Sequence, residues 1–150
     1  MSAFSYPIVI LLLSLTNFVP EAFAGLREVV ASHTDEKGVL QLYRMKEDGS
    51  DSMQLTFSKY GCRMPSISPD GEKLAYVEQV NHSLAIRISD FDGRNVRTLT
   101  EGGMNLIPSW FPDSEQLVWM KVNPQPKQDP ARNAKIYTMD VGTRLSLIHI

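Results

Sequence analysis

One stretch of the sequence is repeated 43 to 44 residues later, and this repeat restricts the possible folds more than any other feature. Asp48-Gly49 and Leu55-Thr56 recur 44 residues on, as Asp92-Gly93 and Leu99-Thr100. A second group recurs 43 residues on, where Pro65-Ser66, Pro69-Asp70, Glu72 and Leu74 return as Pro108-Ser109, Pro112-Asp113, Glu115 and Leu117. The one-residue difference falls between Thr56 and Pro65, which we predict to be a loop because loops tolerate length changes. A period of this length indicates successive copies of one supersecondary unit.

Each copy contains a strand pattern followed by a turn. Residues 40–45 and 84–89 alternate apolar and other side chains with the two-residue period of a β-strand. An Asp-Gly pair follows each of them, and glycine there provides the positive φ that a tight hairpin turn requires. We therefore predict hairpins at Gly49 and Gly93, with return strands over 53–56 and 96–100.

A second hairpin turn is predicted at Ser68-Pro69-Asp70-Gly71, where proline presets φ and glycine accepts the left-handed conformation. The other copy reads Phe111-Pro112-Asp113-Ser114, and a left-handed Ser114 would cost about 1 kcal/mol. The segments that follow, 73–77 and 116–120, are apolar on successive residues, as expected for sheets covered on both faces. We therefore predict an all-β protein, because such units, stacked in series, are typical of the four-stranded antiparallel blades of a β-propeller.

A third unit begins but is incomplete. Residues 136–139 resemble 42–45, with Tyr and Met identical, after an insertion visible as the Pro-rich polar loop 123–133. That loop could carry a binding function or be a tolerated surface excursion, and the second explanation is the simpler one. The pattern ends after Arg144, so we treat 145–150 as an atypical tail. Residues 28–32 join the first unit directly, which places propeller repeats over 25–144 in about two and a half blades.

The first 24 residues are predicted to be a signal-peptide helix that directs export. An apolar run over residues 7–15 precedes Ala22-Phe23-Ala24, whose small outer residues fit a signal-peptidase site between Ala24 and Gly25. The run is shorter than the roughly 20 residues that span a bilayer. No Lys or Arg precedes it, so an uncleaved anchor and a buried strand are the alternatives. We expect a periplasmic or otherwise exported protein with no membrane span after cleavage.

Charge and cysteine content exclude several classes of protein. Residues 25–150 carry 15 basic side chains and 16 of the 17 acidic ones, because the first 24 residues hold only Glu21. This near-neutral balance argues against a nucleic-acid partner or a polybasic membrane surface. Cys62 is the only cysteine, so no intrachain disulfide can form, and we expect it to be a small packing residue at a strand edge.

The sequence contains no recognisable catalytic or metal-binding constellation. There is no G-x-S-x-G elbow, H-E-x-x-H pair or Gly-rich phosphate loop. His33 and His82 are predicted to lie in solvated turns, since a metal site needs three or four convergent donors, and His149 lies in the tail. Asp90 and Asp92 are explained by the turn, because a calcium loop needs further oxygen ligands. We expect no catalytic residue, no cofactor and no metal site.

The stretches MPSISPDGEKLAYVEQ and LAIRISDFDGRNVRTLT, together with IPSWFPDSEQLVWM, resemble the TolB-type propeller repeat. This relative of the WD repeat has the pattern P-x-W-S-P-D-G-x-x-[IL]-[AV]-[FY]. The residues that match it, to which the resemblance gives structural roles, are Pro65, Ser68, Pro69, Asp70, Gly71, Pro108, Trp110, Pro112 and Asp113. Ile67 stands at the Trp position of the first copy, and Phe111 and Ser114 replace Ser and Gly in the second.

The resemblance implies a fold and two alternative functions. TolB-type propellers include exported, non-catalytic scaffolds that bind protein or cell-envelope partners, and this is the first hypothesis. The same repeat also occurs as the propeller of peptidases of the prolyl oligopeptidase family, so an exported hydrolase with its catalytic domain beyond this chain is the second. Because propellers close with roughly 4–8 blades, further blades are expected to be needed, and residues 25–150 alone should aggregate or self-associate.

Overall fold

The structure, a computed structural model, describes residues 27–123 and 133–143, together with the backbone of 146–148. The predicted export signal over 1–24 and most of the 123–133 loop lie outside these residues. The strands are β1 (Glu28–Thr34), β2 (Leu40–Lys46), β3 (Met53–Gln54), β4 (Cys62–Ile67), β5 (Lys73–Val80), β6 (Ser83–Asp90), β7 (Arg97–Thr98), β8 (Met104–Trp110), β9 (Gln116–Val122), β10 (Ala134–Asp140) and β11 (Ser146–Ile148).

These strands form three successive antiparallel units, which we call blades. Blade 1 has the order β1-β2-β3, blade 2 the order β4-β5-β6-β7 and blade 3 the order β8-β9-β10-β11. A single parallel bridge between Leu84 of β6 and Met104 of β8 connects blade 2 to blade 3. The prediction of a partial β-propeller built from repeated blades is therefore confirmed.

Strand bounds differ from the predictions mainly at the outer edge of each blade. The return strands expected over 53–56 and 96–100 are reduced to the two-residue strands β3 and β7. The backbone of 146–148, in the segment where the repeat pattern is lost, pairs with β10 as the outer strand of blade 3. Backbone pairing depends little on side-chain identity, so a strand can form there without the repeat sequence.

The Leu-Thr pair of the repeat closes blades 1 and 2 in the same way. The Thr56 hydroxyl accepts a hydrogen bond from the Leu42 amide at 2.9 Å, and the Thr100 hydroxyl accepts one from the Ile86 amide at 2.9 Å. Both threonine side chains are buried. The threonine hydroxyl thus accepts the hydrogen bond where the short outer strand stops pairing, and the amide of β2 or β6 remains satisfied.

The inner strands also share an irregularity that the sequence did not predict. The pairing of β4 with β5 shifts register between Arg63 and Ser66, and that of β8 with β9 shifts between Leu106 and Ser109. At the centre of these bulges Met64 and Ile107 both have φ of 53°. Positive φ is rare for such bulky residues, so its recurrence 43 residues apart makes the bulge part of the repeated unit.

Two hydrophobic clusters lie between the blades. The cluster between blades 1 and 2 contains Leu42, Leu55, Cys62, Leu74 and Tyr76, with Val30 and Ile67 packed against it. The cluster between blades 2 and 3 contains Ala75, Ile86, Ile88, Leu117, Trp119 and Val141. Neighbouring residues of β5 therefore enter different clusters, Leu74 and Tyr76 on one face and Ala75 on the other. The continuous apolar run in this strand follows from burial on both faces.

Directional contacts accompany this packing between blades. The Trp110 indole N–H of blade 3 donates to the Ser66 carbonyl of blade 2 at 2.9 Å. The buried Asn105 side chain donates to the carbonyl oxygens of Leu84 and Gly102 and accepts a hydrogen bond from the Trp119 indole at 3.1 Å. The Arg44 guanidinium of blade 1 lies 5.5 Å from the centre of the Phe91 ring of blade 2. These contacts fix how far the sheets can slide over one another.

Glycine is required at one turn because two blades approach each other there. Gly93 has φ of 83°, and a Cβ at this position would lie 2.8 Å from the Leu55 carbonyl oxygen of blade 1. In the other type of turn Gly71 has φ of 76°, while Ser114 at the equivalent position has φ of 60°. Ser114 therefore adopts the left-handed conformation for which the sequence indicates a cost of about 1 kcal/mol. Its hydroxyl accepts a hydrogen bond from the Asp70 amide of blade 2 at 3.0 Å.

Two substitutions of Ser114 separate the cost of its left-handed backbone from the contribution of its hydrogen bond with the Asp70 amide. In Ser114→Ala the strained backbone remains and the hydrogen bond to Asp70 is lost, so we expect the free energy of unfolding to fall by about 1 kcal/mol. In Ser114→Gly the relief of strain, about 1 kcal/mol, offsets that loss and the stability stays near that of the parent. Denaturant titration of both variants, with the exposed Ser52→Ala as control, measures the difference. An alanine variant more stable than the glycine variant would contradict this explanation.

Cys62 is 1% exposed, and this burial raises the pKa of its thiol to about 11. At pH 8 only about one thiol in a thousand is then ionised in the folded protein, against about a quarter in an unfolded chain with a pKa near 8.5. We expect alkylation by iodoacetamide at pH 8 to be at least about 100-fold slower in the native protein than in denaturant. Mass spectrometry of time points measures both rates, and equal rates would show that Cys62 is accessible.

Candidate binding surface

Side chains able to hold a metal do not converge in the described part of the chain. Across residues 27–123 and 133–143 there is no group of three or more His, Cys, Asp or Glu side chains with suitable geometry. His33 lies in β1 rather than in a turn, where its ring meets the Tyr43 ring edge-on at 5.8 Å. His82 is exposed in the turn between β5 and β6, as predicted.

Asp90 and Asp92 both accept hydrogen bonds from residues of their own turn. Asp90 accepts a hydrogen bond from the Asn95 side chain at 2.6 Å, and Asp92 accepts one from the Arg94 amide at 3.0 Å. These contacts account for both carboxylates, so the turn explanation holds for this segment.

Strand direction divides the connections between two ends of the blades. The turns 47–52, 68–72, 91–96 and 111–115 lie at one end, which we call the turn face. The connections 35–39, 57–61, 81–82 and 101–103 lie at the other, which we call the loop face. The two faces differ in composition, because the turns of the turn face hold eight Asp and Glu residues and the connections of the loop face hold three.

Carboxylates of the turn face accept hydrogen bonds from residues of their own turns. Hydrogen bonds from the Ser50 hydroxyl and amide lower the pKa of Asp48. Partial burial acts to raise the pKa of Asp70, but the Ser68 hydroxyl, the Glu72 amide and Lys73 outweigh it and lower the pKa. Asp113 accepts hydrogen bonds from the Glu115 and Gln116 amides at 2.9 and 3.1 Å. The turn face is therefore acidic for structural reasons, and these contacts do not indicate a ligand.

A buried glutamine organises the loop face of blade 1. Gln41 is 1% exposed, and its side-chain oxygen accepts hydrogen bonds from the Thr56 hydroxyl at 2.9 Å and the Ser58 amide at 3.1 Å. Its side-chain nitrogen donates to the Ser58 carbonyl at 2.7 Å. The Ser58 hydroxyl in turn accepts hydrogen bonds from the amides of Tyr60 and Gly61 at 3.3 Å. The 57–61 connection is therefore fixed by polar contacts to the core.

Two aromatic side chains project from this fixed connection. Phe57 is 81% exposed and Tyr60 is 43% exposed. The Lys59 ammonium lies 5.1 Å from the centre of the Tyr60 ring. The equivalent connection before blade 3 reads Glu101-Gly102-Gly103 and carries no aromatic residue. Exposed aromatic side chains on a rigid loop are typical of the anchor residues of protein interfaces.

A polar cleft of about 450 Å³ opens on the loop face of blade 2. It is lined by Val80, Asn81, His82, Ser83, Ala85, Arg87, Thr98, Glu101 and Gly102. Arg87 is already paired with Glu78 at 2.6 Å, which leaves the cleft without an unpaired buried charge among its lining residues. Its chemistry suits polar contacts at the margin of an interface rather than catalysis.

The motif residues singled out from the sequence lie away from this surface. Pro69, Asp70 and Gly71, with Pro112 and Asp113, form turns of the turn face, whereas Pro65, Pro108 and Trp110 lie in the inner strands β4 and β8. Phe57 and Tyr60 were missed by the sequence analysis. The signal that could have found them is the extra residue between Thr56 and Pro65, since the loop that departs from the repeat length is the one that carries them.

Comparison with known proteins agrees with this architecture. The family described as TolB beta propeller domain matches residues 21–146. An uncharacterized protein of Agrobacterium fabrum is 30% identical over 104 residues, covering 61% of this chain and 36% of the relative. The Tol-Pal system protein TolB of Myxococcus xanthus is 37% identical over 52 residues, covering 35% of this chain and 12% of that protein. The chain thus spans only about a third of the Agrobacterium relative's length.

Solved structures extend the comparison at the level of the fold. TolB from Acinetobacter baumannii has a TM-score of 0.65 at 22% identity, covering 80% of this chain and 29% of that one. The acylaminoacyl peptidase of Pyrococcus horikoshii has a TM-score of 0.60 at 15% identity, covering 82% of this chain and 22% of that one. No helix within the described residues is long and apolar enough to cross a membrane. The repeat, the blades and the family match together establish that this chain belongs to the TolB β-propeller domain family.

Proposed function

We propose that this chain is part of an exported, non-catalytic propeller scaffold that binds a protein or cell-envelope partner through its loop face. The observation that carries the proposal is the aromatic pair Phe57 and Tyr60, exposed on a connection that Gln41 and Ser58 hold in place. A fixed loop loses little conformational entropy on binding, and large aromatic side chains provide most of the contact energy in many interfaces.

Relatives support this class of function. The Myxococcus protein that matches 52 residues of the chain is named as a component of the Tol-Pal system. Membership of the same propeller family makes a partner in the cell envelope the first candidate. The apolar run over residues 7–15 and the small residues before Gly25 support export, with the periplasm as the place of action.

A propeller attached to a hydrolase is the second candidate. The likeness to the acylaminoacyl peptidase of Pyrococcus horikoshii favours it, although at 15% identity this likeness concerns the fold alone. The described residues contain no group of three or more His, Cys, Asp or Glu side chains that could hold a metal ion. The reading frame of the complete gene separates the two candidates. A serine nucleophile elbow after the last blade would favour the hydrolase, and a ring of blades alone would favour the binding scaffold.

Substitution of the aromatic pair tests the binding surface. The probe is purified Pal protein of the Tol-Pal system, titrated by calorimetry against the full-length protein of which this chain is part. The Phe57→Ala/Tyr60→Ala double variant should bind at least about tenfold more weakly, because loss of an aromatic anchor typically costs more than 1 kcal/mol. Val96→Ala is the matched control, since Val96 is 52% exposed but lies in a connection of the turn face. Absence of binding, or equal weakening by the control variant, would contradict the proposal.

A further inference from the structure

One partly buried arginine at the loop face has no acidic partner in the described part of the chain. Arg63 is the second residue of β4, directly beyond the 57–61 connection that carries Phe57 and Tyr60. Its Nη2 atom donates to the Gln79 side-chain oxygen at 2.8 Å. Its Nε atom is buried without a hydrogen-bond partner among the described residues, whose carboxylates form no ion pair with it. A guanidinium has five N–H donors, so a single neutral amide leaves most of them unused.

The acidic residue of the neighbouring strand is not available to this arginine. Glu78 of β5 pairs in register with Cys62. Arg63 pairs with Val77, so strand alternation puts it on the opposite face of the sheet from Glu78. Glu78 is also bound by Arg87 at 2.6 Å. Val77 belongs to the face of blade 2 that blade 3 covers, so both blades that flank Arg63 are described. An acidic partner is therefore not expected from a flanking blade.

The repeat does not require an arginine at this position. With the 43-residue shift of the inner strands, Arg63 corresponds to Leu106, and Gln79 corresponds to Val122. The strand pairings agree with this alignment, since Leu106 pairs with the residue 43 positions after the partner of Arg63. Blade 3 thus forms with two apolar side chains where blade 2 has a polar pair. The charge is dispensable for the blade and available for recognition.

We propose that Arg63 binds a carboxylate of a polypeptide partner that contacts Phe57 and Tyr60, an inference that rests on the proposed function. A guanidinium can bind a carboxylate through two parallel hydrogen bonds. Three residues separate Tyr60 from Arg63, so their Cα atoms are at most about 11 Å apart, within the length of an extended pentapeptide. The Lys59 ammonium, 5.1 Å from the centre of the Tyr60 ring, adds a second positive charge. The 57–61 connection contains no Asp or Glu, so an acidic segment with apolar side chains fits this surface.

Nuclear magnetic resonance of the full-length protein of which this chain is part tests the inference with synthetic peptides. Two pentapeptides, blocked at each end, have serine at the ends, leucine on both sides of the centre, and either glutamate or glutamine at the centre. The glutamate peptide should bind at least about tenfold more tightly, because hydrogen bonds between charged groups are about twice as strong as neutral ones. It should also shift the Arg63 Nε–H resonance, which is identified by its loss in Arg63→Leu.

A third peptide distinguishes the two sources of a carboxylate in a polypeptide. It has the central glutamine and a free carboxyl end. If it binds more tightly than the blocked glutamine peptide, the site also accepts a chain end. If those two peptides bind equally and the glutamate peptide binds more tightly, the site takes an acidic side chain. Both results support the carboxylate contact.

Substitutions separate this contact from the proposed function. In Arg63→Leu, which places the residue of blade 3 at this position, the two blocked peptides should bind equally. In Phe57→Ala/Tyr60→Ala both peptides should bind more weakly, and the tenfold preference should remain. Unchanged peptide binding in this double variant would contradict the aromatic surface of the proposed function and leave the carboxylate contact supported. Arg97→Leu is the control, because it removes the same charge from the outer strand β7 of the same blade and should keep the preference.

Three results would overturn the inference. These are no binding of either blocked peptide, equal binding of both by the parent protein, and a preference for glutamate that persists in Arg63→Leu. Circular dichroism confirms that each variant keeps its strands. If Arg63→Leu does not fold, Arg63→Leu/Gln79→Val, which places both residues of blade 3, replaces it with the same expected loss of the preference.

Discussion

Burial of both faces of each sheet by its neighbours is the interaction on which the rest of this structure depends. A strand such as β5 places Leu74 and Tyr76 in one cluster and Ala75 in the other, so the middle blade has no solvent-facing side. Burying side chains of this size contributes about 1.5–3 kcal/mol each. Because each of these side chains is buried between two blades, the stability of one blade depends on its neighbour, as in other repeat proteins.

Polar and strained features of the repeat make this stacking specific. Thr56 and Thr100 satisfy the amides that the short outer strands leave unpaired. The Trp110 indole and the Ser114 hydroxyl bond to backbone groups of the preceding blade, which sets the angle between the sheets. Met64 and Ile107, which lie at the bulges of β4 and β8, both have positive φ. With the scaffold rigid in this way, one connection can differ from the repeat, and the 57–61 connection presents Phe57 and Tyr60 to solvent.

Local residue patterns predict the repeated part of this fold, but they miss the bulges, the ends of the outer strands and the exposed aromatic residues. The Asp-Gly and Pro-Asp-Gly turns and the apolar alternation follow from single residues and their local preferences, whereas the left-handed Ser114 follows only from its alignment with Gly71 in the repeat. The bulges could not be predicted, because positive φ at Met64 or Ile107 contradicts the local preference of such bulky residues. The outer strands are shorter than their apolar pattern suggests, since threonine hydroxyls replace their last backbone bonds. Phe57 and Tyr60 were overlooked because exposure, unlike periodicity, is a tertiary property.

Amide hydrogen exchange of the Leu117→Ala variant tests the shared interface most directly. Leu117 lies in β9 of blade 3, is 0% exposed and packs in the cluster that blade 2 shares. Truncating a buried leucine typically costs about 2–5 kcal/mol. The opening free energy should fall by such an amount for the amides of β5 and β6 in blade 2 as well as for those of β9 and β10. A loss confined to β9 and β10 would mean that the blades are stable independently, and it would contradict this account.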